Sequence, residues 1–245
     1  MKKILNAIWK HARQTSKNVG IALVLTALPV RLGIVPPTVF PEFDDQILKY
    51  VIGHHHVIPH EALPNLSMLV RGTLEQFAIA DPGIGTSSIV FLDSSEANAY
   101  SIPDGHIIVN LGLLVRVENQ SQLAGILGHE IGHRELQAYR DLSAARFVLF
   151  GGTLFALGTW GLVALAVSLP AGLLIERFLQ RQQEYAADLY AAQLMKKSGF
   201  ISSEFGTFLG TKFHSEKYVP PLDDCKELLS THPIIYKRAL RILTQ

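Results

Sequence analysis

The sequence predicts an α+β fold: a mostly helical body, a small three-stranded sheet, and an apolar helical hairpin. Three observations predict it. Leu63, Leu66, Leu69, Val70, Leu74, Phe77 and Ala78 recur at helical spacing within residues 62–80. Three short runs, "SSIVFLD", "ANAYSIP" and "GHIIVN", follow the chain break "DPGIG" and are separated by turn residues. Residues 147–175 carry no charge.

Taken in order, the first 41 residues contain no acid but include Lys2, Lys3, Lys10, Arg13, Lys17 and Arg31. Their apolar run, "NVGIALVLTALPV", is shorter than the roughly 20 residues a bilayer span needs. Ile4, Leu5, Ile8, Trp9 and Ala12 share one helical face. Residues 1–41 therefore read as a basic, apolar targeting or membrane-anchor segment, and 42–245 as one folded domain. Residues 42–52 and 62–80 read as helices. "GHHHVIPH" (53–60) between them reads as a surface turn. The three strands come next. "QSQLAGILGHEIGHRELQAY" is a helix with Asn119 or Ser121 as N-cap. "IERFLQRQQEYAADLYAAQLMKK" is another, stopping before Gly199. "STHPIIYKRALRIL" turns into a last short helix started by Pro233.

Charged residues make up only 18% of the 245, which leans towards membrane contact. The net charge of +1 offers no field for nucleic acid, so no nucleic-acid partner is expected. The lone cysteine, Cys225, excludes an intrachain disulfide and reads as structural.

The chemistry lies in "GHEIGH". Residues four apart on a helix share a face, so His129 and His133 can aim both imidazoles at one ion. Zinc accepts such ligands and lowers the pKa of water to about 7, and Glu130 can reach that water without being a ligand. Gly128 and Gly132 each cost about 1 kcal/mol in a helix, which makes sense if another element or a substrate comes close to that face. "EYAAD" offers Glu184 and Asp188, again four apart. One can bind the metal while the other holds the tautomer of a ligand histidine. His232, in "STHP", can stabilise a developing oxyanion if it lies near the metal, and Arg238 follows six residues on.

Together these motifs resemble the zinc metallopeptidase family that includes the CAAX prenyl endopeptidases, the HtpX heat-shock protease and the BepA-type periplasmic proteases. "GHEIGH", "EYAAD", "STHPIIYKR" and "NAYSIPDGHIIVNLGLL" carry the resemblance across about residues 62–243. The resemblance implies one zinc per chain on His129, His133 and Glu184, with Glu130 as general base. It implies Asp188 as the carboxylate behind a ligand histidine, and His232 with Arg238 supporting the transition state. It also implies an edge strand at His106, Ile107, Ile108 and Val109 that pairs with extended substrate, and Asn98 shaping the cleft. The amino terminus departs from those relatives, lacking the transmembrane pair of HtpX.

The apolar stretch must satisfy the same metal. His133 precedes it and Glu184 follows it, so a single crossing would set about 30 Å of hydrocarbon between ligands of one ion. Residues 147–175 are therefore expected to form a hairpin, turning near Pro170 or among the glycines, that dips into one leaflet or packs over the cleft, the alternative being a fully buried core helix. The expected function is a zinc-dependent endopeptidase of peptide or unfolded-protein substrates. It would act in quality control at a membrane surface, in a bacterial envelope in preference to a mitochondrial membrane. The rival class is a membrane-associated chaperone or binding protein with a retained, weakly active zinc site.

Overall fold

The computed structural model describes residues 53, 56–84, 87–102, 105–136, 162–212 and 235–244, with backbone alone for 162–169, Lys212 and Tyr236. The helix expected over 42–52, Cys225, His232 and Pro233 lie outside the described residues. The chain divides into two compact units, Met1–Val39 with Arg140–Glu176, and Phe40–Tyr139 with Arg177–Gln245. Of the first unit, only residues 162–176 are described.

The second unit holds a sheet of four strands, not three: β1 (Val57–Ile58), β2 (Ser88–Leu92), β3 (Ala99–Ser101) and β4 (His106–Asn110), in the order β1-β2-β4-β3. The extra strand, β1, lies inside "GHHHVIPH". Two residues are too few to show a two-residue alternation, so pairing alone reveals it: Val57 faces Leu92 and Ile58 faces Phe91, antiparallel. His60, from the same stretch, is structural. Its Nε2 lies 3.0 Å from the Ile89 carbonyl oxygen, and its ring meets Phe91 edge-on at 5.3 Å.

The strand order corrects a second expectation. β4 pairs in parallel with β2, from Ser88↔His106 to Leu92↔Asn110, and antiparallel with β3, so it is interior and not an edge. Its run Ile107, Ile108 and Val109 is buried on both faces. Ile107 and Val109 enter the main core, while Ile108 joins Leu92 and Ile102 on the other side. The edge beside β4 is β3. Its neighbour Asn98 accepts from the Asn110 amide, and Ile102 donates to His106. Antiparallel alternation therefore turns the amides and carbonyls of Ala99 and Ser101 outward.

Helix α1 (Pro64–Ala80) starts on a proline, whose missing N–H would go unbonded there anyway, and buries Val70, Thr73 and Phe77. The short α2 (Leu111–Leu114) follows β4, and α3 (Gln120–Glu135) carries the histidines. The Asn119 side chain caps α3 by accepting from the Gln122 amide at 2.9 Å. Helix α4 (Leu162–Lys197) begins well before Ile175, where the charge pattern placed its start, and runs unbroken through Pro170. A turn at Pro170 is therefore ruled out, and a turn among the glycines of 151–161 falls outside the described residues. No helix among the described residues is long and apolar enough to cross a membrane.

Past α4, Gly199 takes φ +79°, and the Phe200 amide reaches back to the Met195 carbonyl, an end that favours glycine. Helix α5 (Ser202–Lys212) is pinned to the start of α3, where Glu204 accepts from Asn119 at 2.8 Å and Gln122 at 3.2 Å. Helix α6 (Ile235–Leu243) packs on α5 through buried Ala239 and Ile242.

Candidate active site

The site exists because α3 and α4 approach closely. A Cβ at Gly128 would lie 3.3 Å from the Ala191 Cα, and one at Gly132 would lie 3.2 Å from the Ala187 Cα. Ala187 and Ala191 are fully buried. The costly glycines thus face a second helix that is itself small along the contact, the arrangement that lets two backbones come together. Gly125 continues the stripe under Phe205 of α5.

That approach carries Glu184 and Asp188 of α4 to the histidines. The two Nε2 atoms of His129 and His133 stand 3.1 Å apart. Glu184 brings Oε1 to 3.4 Å from His133 Nε2 and Oε2 to 3.7 Å from His129 Nε2. One donor atom from each of the three residues lies within 4.8 Å of the others. Behind His129, Nδ1 donates to Asp188 Oδ1 at 3.0 Å. With its proton on Nδ1, His129 turns a lone pair on Nε2 towards the other donors. Two imidazole nitrogens and one carboxylate oxygen form a set that fits a divalent cation of zinc type.

Arg238 completes the cluster from α6. Its Nε and one terminal nitrogen hold Asp188 at 2.8 and 2.7 Å, and its other terminal nitrogen lies 2.8 Å from Glu184 Oε2. It is buried and engaged with both carboxylates. Burial pushes the Asp188 carboxyl up, but the bonds from His129 and Arg238 outweigh it and hold the group below its ordinary value. Burial pushes His133 down, and Glu184 with Glu130 outweighs that and raises it. Glu130 is raised, chiefly by loss of solvent, against the pull of His129, His133 and the Ser101 amide.

Glu130 faces the edge strand. The Ser101 amide donates to Glu130 Oε2 at 3.0 Å, and the Ser101 hydroxyl donates to the Glu130 carbonyl at 2.7 Å. Sequence reasoning missed Ser101. It is a small polar residue in a three-residue strand, and its partner is fixed only by which strand forms the edge. The four residues placed on that edge, His106, Ile107, Ile108 and Val109, do not line it. His106 pairs with Ser88 at the start of β4, and the other three are interior. Asn98 adjoins the true edge, where its Oδ1 accepts from the Ala99 amide at 3.0 Å.

Two helices that converge a His-His-Glu donor set beside a further glutamate, with a sheet edge alongside, define a metallopeptidase-type site. The chain belongs to peptidase family M48, whose model matches residues 59–245. It is 27% identical over 155 residues to the "Beta-barrel assembly-enhancing protease" of Escherichia coli (strain K12), a match covering 58% of this chain and 31% of that protein. It is 30% identical over 175 residues to "Metalloendopeptidase OMA1, mitochondrial" of Bos taurus, covering 64% of this chain and 32% of the relative. It is 28% identical over 217 residues to a "Protease HtpX homolog" of Dictyoglomus turgidum, covering 74% and 69%. The matches thus span about a third of the length of the first two relatives. The fold resembles the crystal structure of S. mikatae Ste24p at a TM-score of 0.57 and 20% identity, over 99% of this chain and 66% of that one.

Proposed function

We propose that this chain is a zinc-dependent endopeptidase that takes extended or unfolded protein segments along β3 and acts in quality control at a membrane surface, a bacterial envelope being the compartment this reading names. The observation that carries it is the convergence of three donor atoms within 4.8 Å of one another, with Glu130 anchored beside them. His129, His133 and Glu184 would hold the zinc, which when bound supplies a Lewis acid that lowers the pKa of a water to about 7. Glu130 takes the attacking water's proton, its carboxylate held through Oε2 by the Ser101 amide. Asp188 fixes the His129 tautomer, and Arg238 balances the charge of Glu184 and Asp188 and orients both. His232 is assigned to the developing oxyanion on its "STHP" context alone. The membrane assignment is supported by exposed Leu173, Leu174, Ile175 and Phe178 on α4, continuous with the uncharged stretch 147–175.

The test is cleavage of casein by the full chain. Cleavage should stop on chelation and in Glu130→Gln, while Glu130→Gln keeps close to one zinc per chain. Loss of zinc in that variant would mean Glu130 is a ligand and the roles are misassigned.

A further inference from the structure

We propose that Ser101 is a positioning residue for Glu130, and that its hydroxyl locks the general base to the substrate edge. The inference rests on the peptidase reading above and deepens it. Ser101 meets Glu130 twice. Its amide donates to the side-chain Oε2 at 3.0 Å, and its hydroxyl donates to the main-chain carbonyl at 2.7 Å. The two bonds close a ring through both residues. A single bond at the carboxylate would leave the base free to pivot with the edge strand. The second bond ties strand backbone to helix backbone, so the first acts from a fixed point and the side-chain torsions of Glu130 have one solution.

The rest of the strand supports this. Ser101 pairs with Ile107 of β4, which is fully buried, so the strand side of the lock is anchored in the core. Ala99, the other outward residue of β3, offers no hydroxyl. Of the strand's three residues, only Ser101 joins the sheet edge to the helix main chain by a side chain. The lock engages one carboxylate oxygen of Glu130, Oε2.

The experiment compares Ser101→Ala, which keeps the amide and loses the hydroxyl, with Ser101→Thr, which keeps both. It uses the zinc-loaded full chain and three readouts: zinc affinity by chelator competition, affinity for a peptide hydroxamate, and kcat separately from KM. A hydroxamate chelates the metal and hydrogen-bonds the neighbouring carboxylate, so it reads the placement of Glu130 without turnover. Ser101→Ala should weaken the hydroxamate about tenfold and lower kcat about tenfold, the scale of one lost hydrogen bond. KM and zinc affinity should stay put, and Ser101→Thr should return both affected quantities to within about twofold of wild type. Hydroxamate affinity indifferent to Ser101→Ala overturns the proposal, as does a Ser101→Thr variant as impaired as Ser101→Ala. A wild-type chain that binds zinc and hydroxamate yet cleaves no peptide would sink the peptidase reading and leave the hydroxamate comparison to decide Ser101.

Discussion

Glu184 and Asp188 stand four residues apart on one helix and share the guanidinium of Arg238, yet only Asp188 bonds a ring nitrogen pointing away from the donor cluster. The expected outcome is a split in metal analysis: Glu184→Ala loses zinc, and Asp188→Ala weakens it about 10–100-fold. Equal and complete loss would dissolve the distinction. Glu130 gives a second residue-scale prediction. Its folded pKa is raised above the ordinary 4.5 by burial. Below both values the charge costs nothing, and above the folded value an ionised Glu130 destabilises the metal-free fold. Metal-free Glu130→Gln should therefore melt higher than wild type at neutral pH. The advantage should vanish as pH falls below about 4.5, which thermal scans across pH would read. His129, Glu130 and His133 were legible because one helix brings them together at fixed spacing. Ser101 was not, because its role comes from a contact 29 positions away.

At the scale of elements, the glycine stripe of α3 makes a graded prediction. Alanine at Gly128 gains about 1 kcal/mol of helix propensity and meets Ala191 only slightly too closely, so stability should move by less than about 1 kcal/mol. Alanine at Gly125 would collide with the Cβ and ring of Phe205, a side chain buried between α3 and α5. Overpacking of that kind costs about 1–3 kcal/mol, and Gly125→Ala should melt several degrees lower. Urea unfolding of both variants checks it, and equal effects would mean the helix contact is looser than drawn. The helices were readable from periodicity and caps, and Asn119 is the cap. The strand order was not, although "HIIVN" carried a sign of it. Three consecutive apolar residues suit a strand covered on both faces, whereas an edge strand tends to alternate. β1 was hidden by its length and by histidines that looked like a turn.

At the scale of the whole chain, His133 and Glu184 flank the uncharged stretch 147–175 and their donor atoms meet at 3.4 Å. If that stretch meets a membrane, its two ends are expected in one compartment, because an odd number of crossings would set about 30 Å of hydrocarbon between them. With Cys225 replaced by Ser, single cysteines at Gln137 and Gln180 should both react with an impermeant reagent from one side of a sealed membrane, or neither should. Labelling of one alone, in protein that binds zinc, would defeat the hairpin and the site together. Charge alone set the helix start near Ile175, whereas the helix is already formed at Leu162 and continues through Pro170, since an uncharged apolar run marks no helix end.

The edge of β3 has a chemical polarity. Its two outward amides are already engaged, Ala99 by the Asn98 side chain and Ser101 by Glu130, while among the described residues its outward carbonyls remain as acceptors. A chain laid along this edge must bring hydrogens to it and finds none offered in return. Backbone recognition of this sort admits nearly every side chain, yet it discriminates sharply against imino acids. A proline opposite Ala99 or Ser101 has no hydrogen to give, so if substrate pairs along β3 as proposed, proline-rich tracts would pass this edge unread.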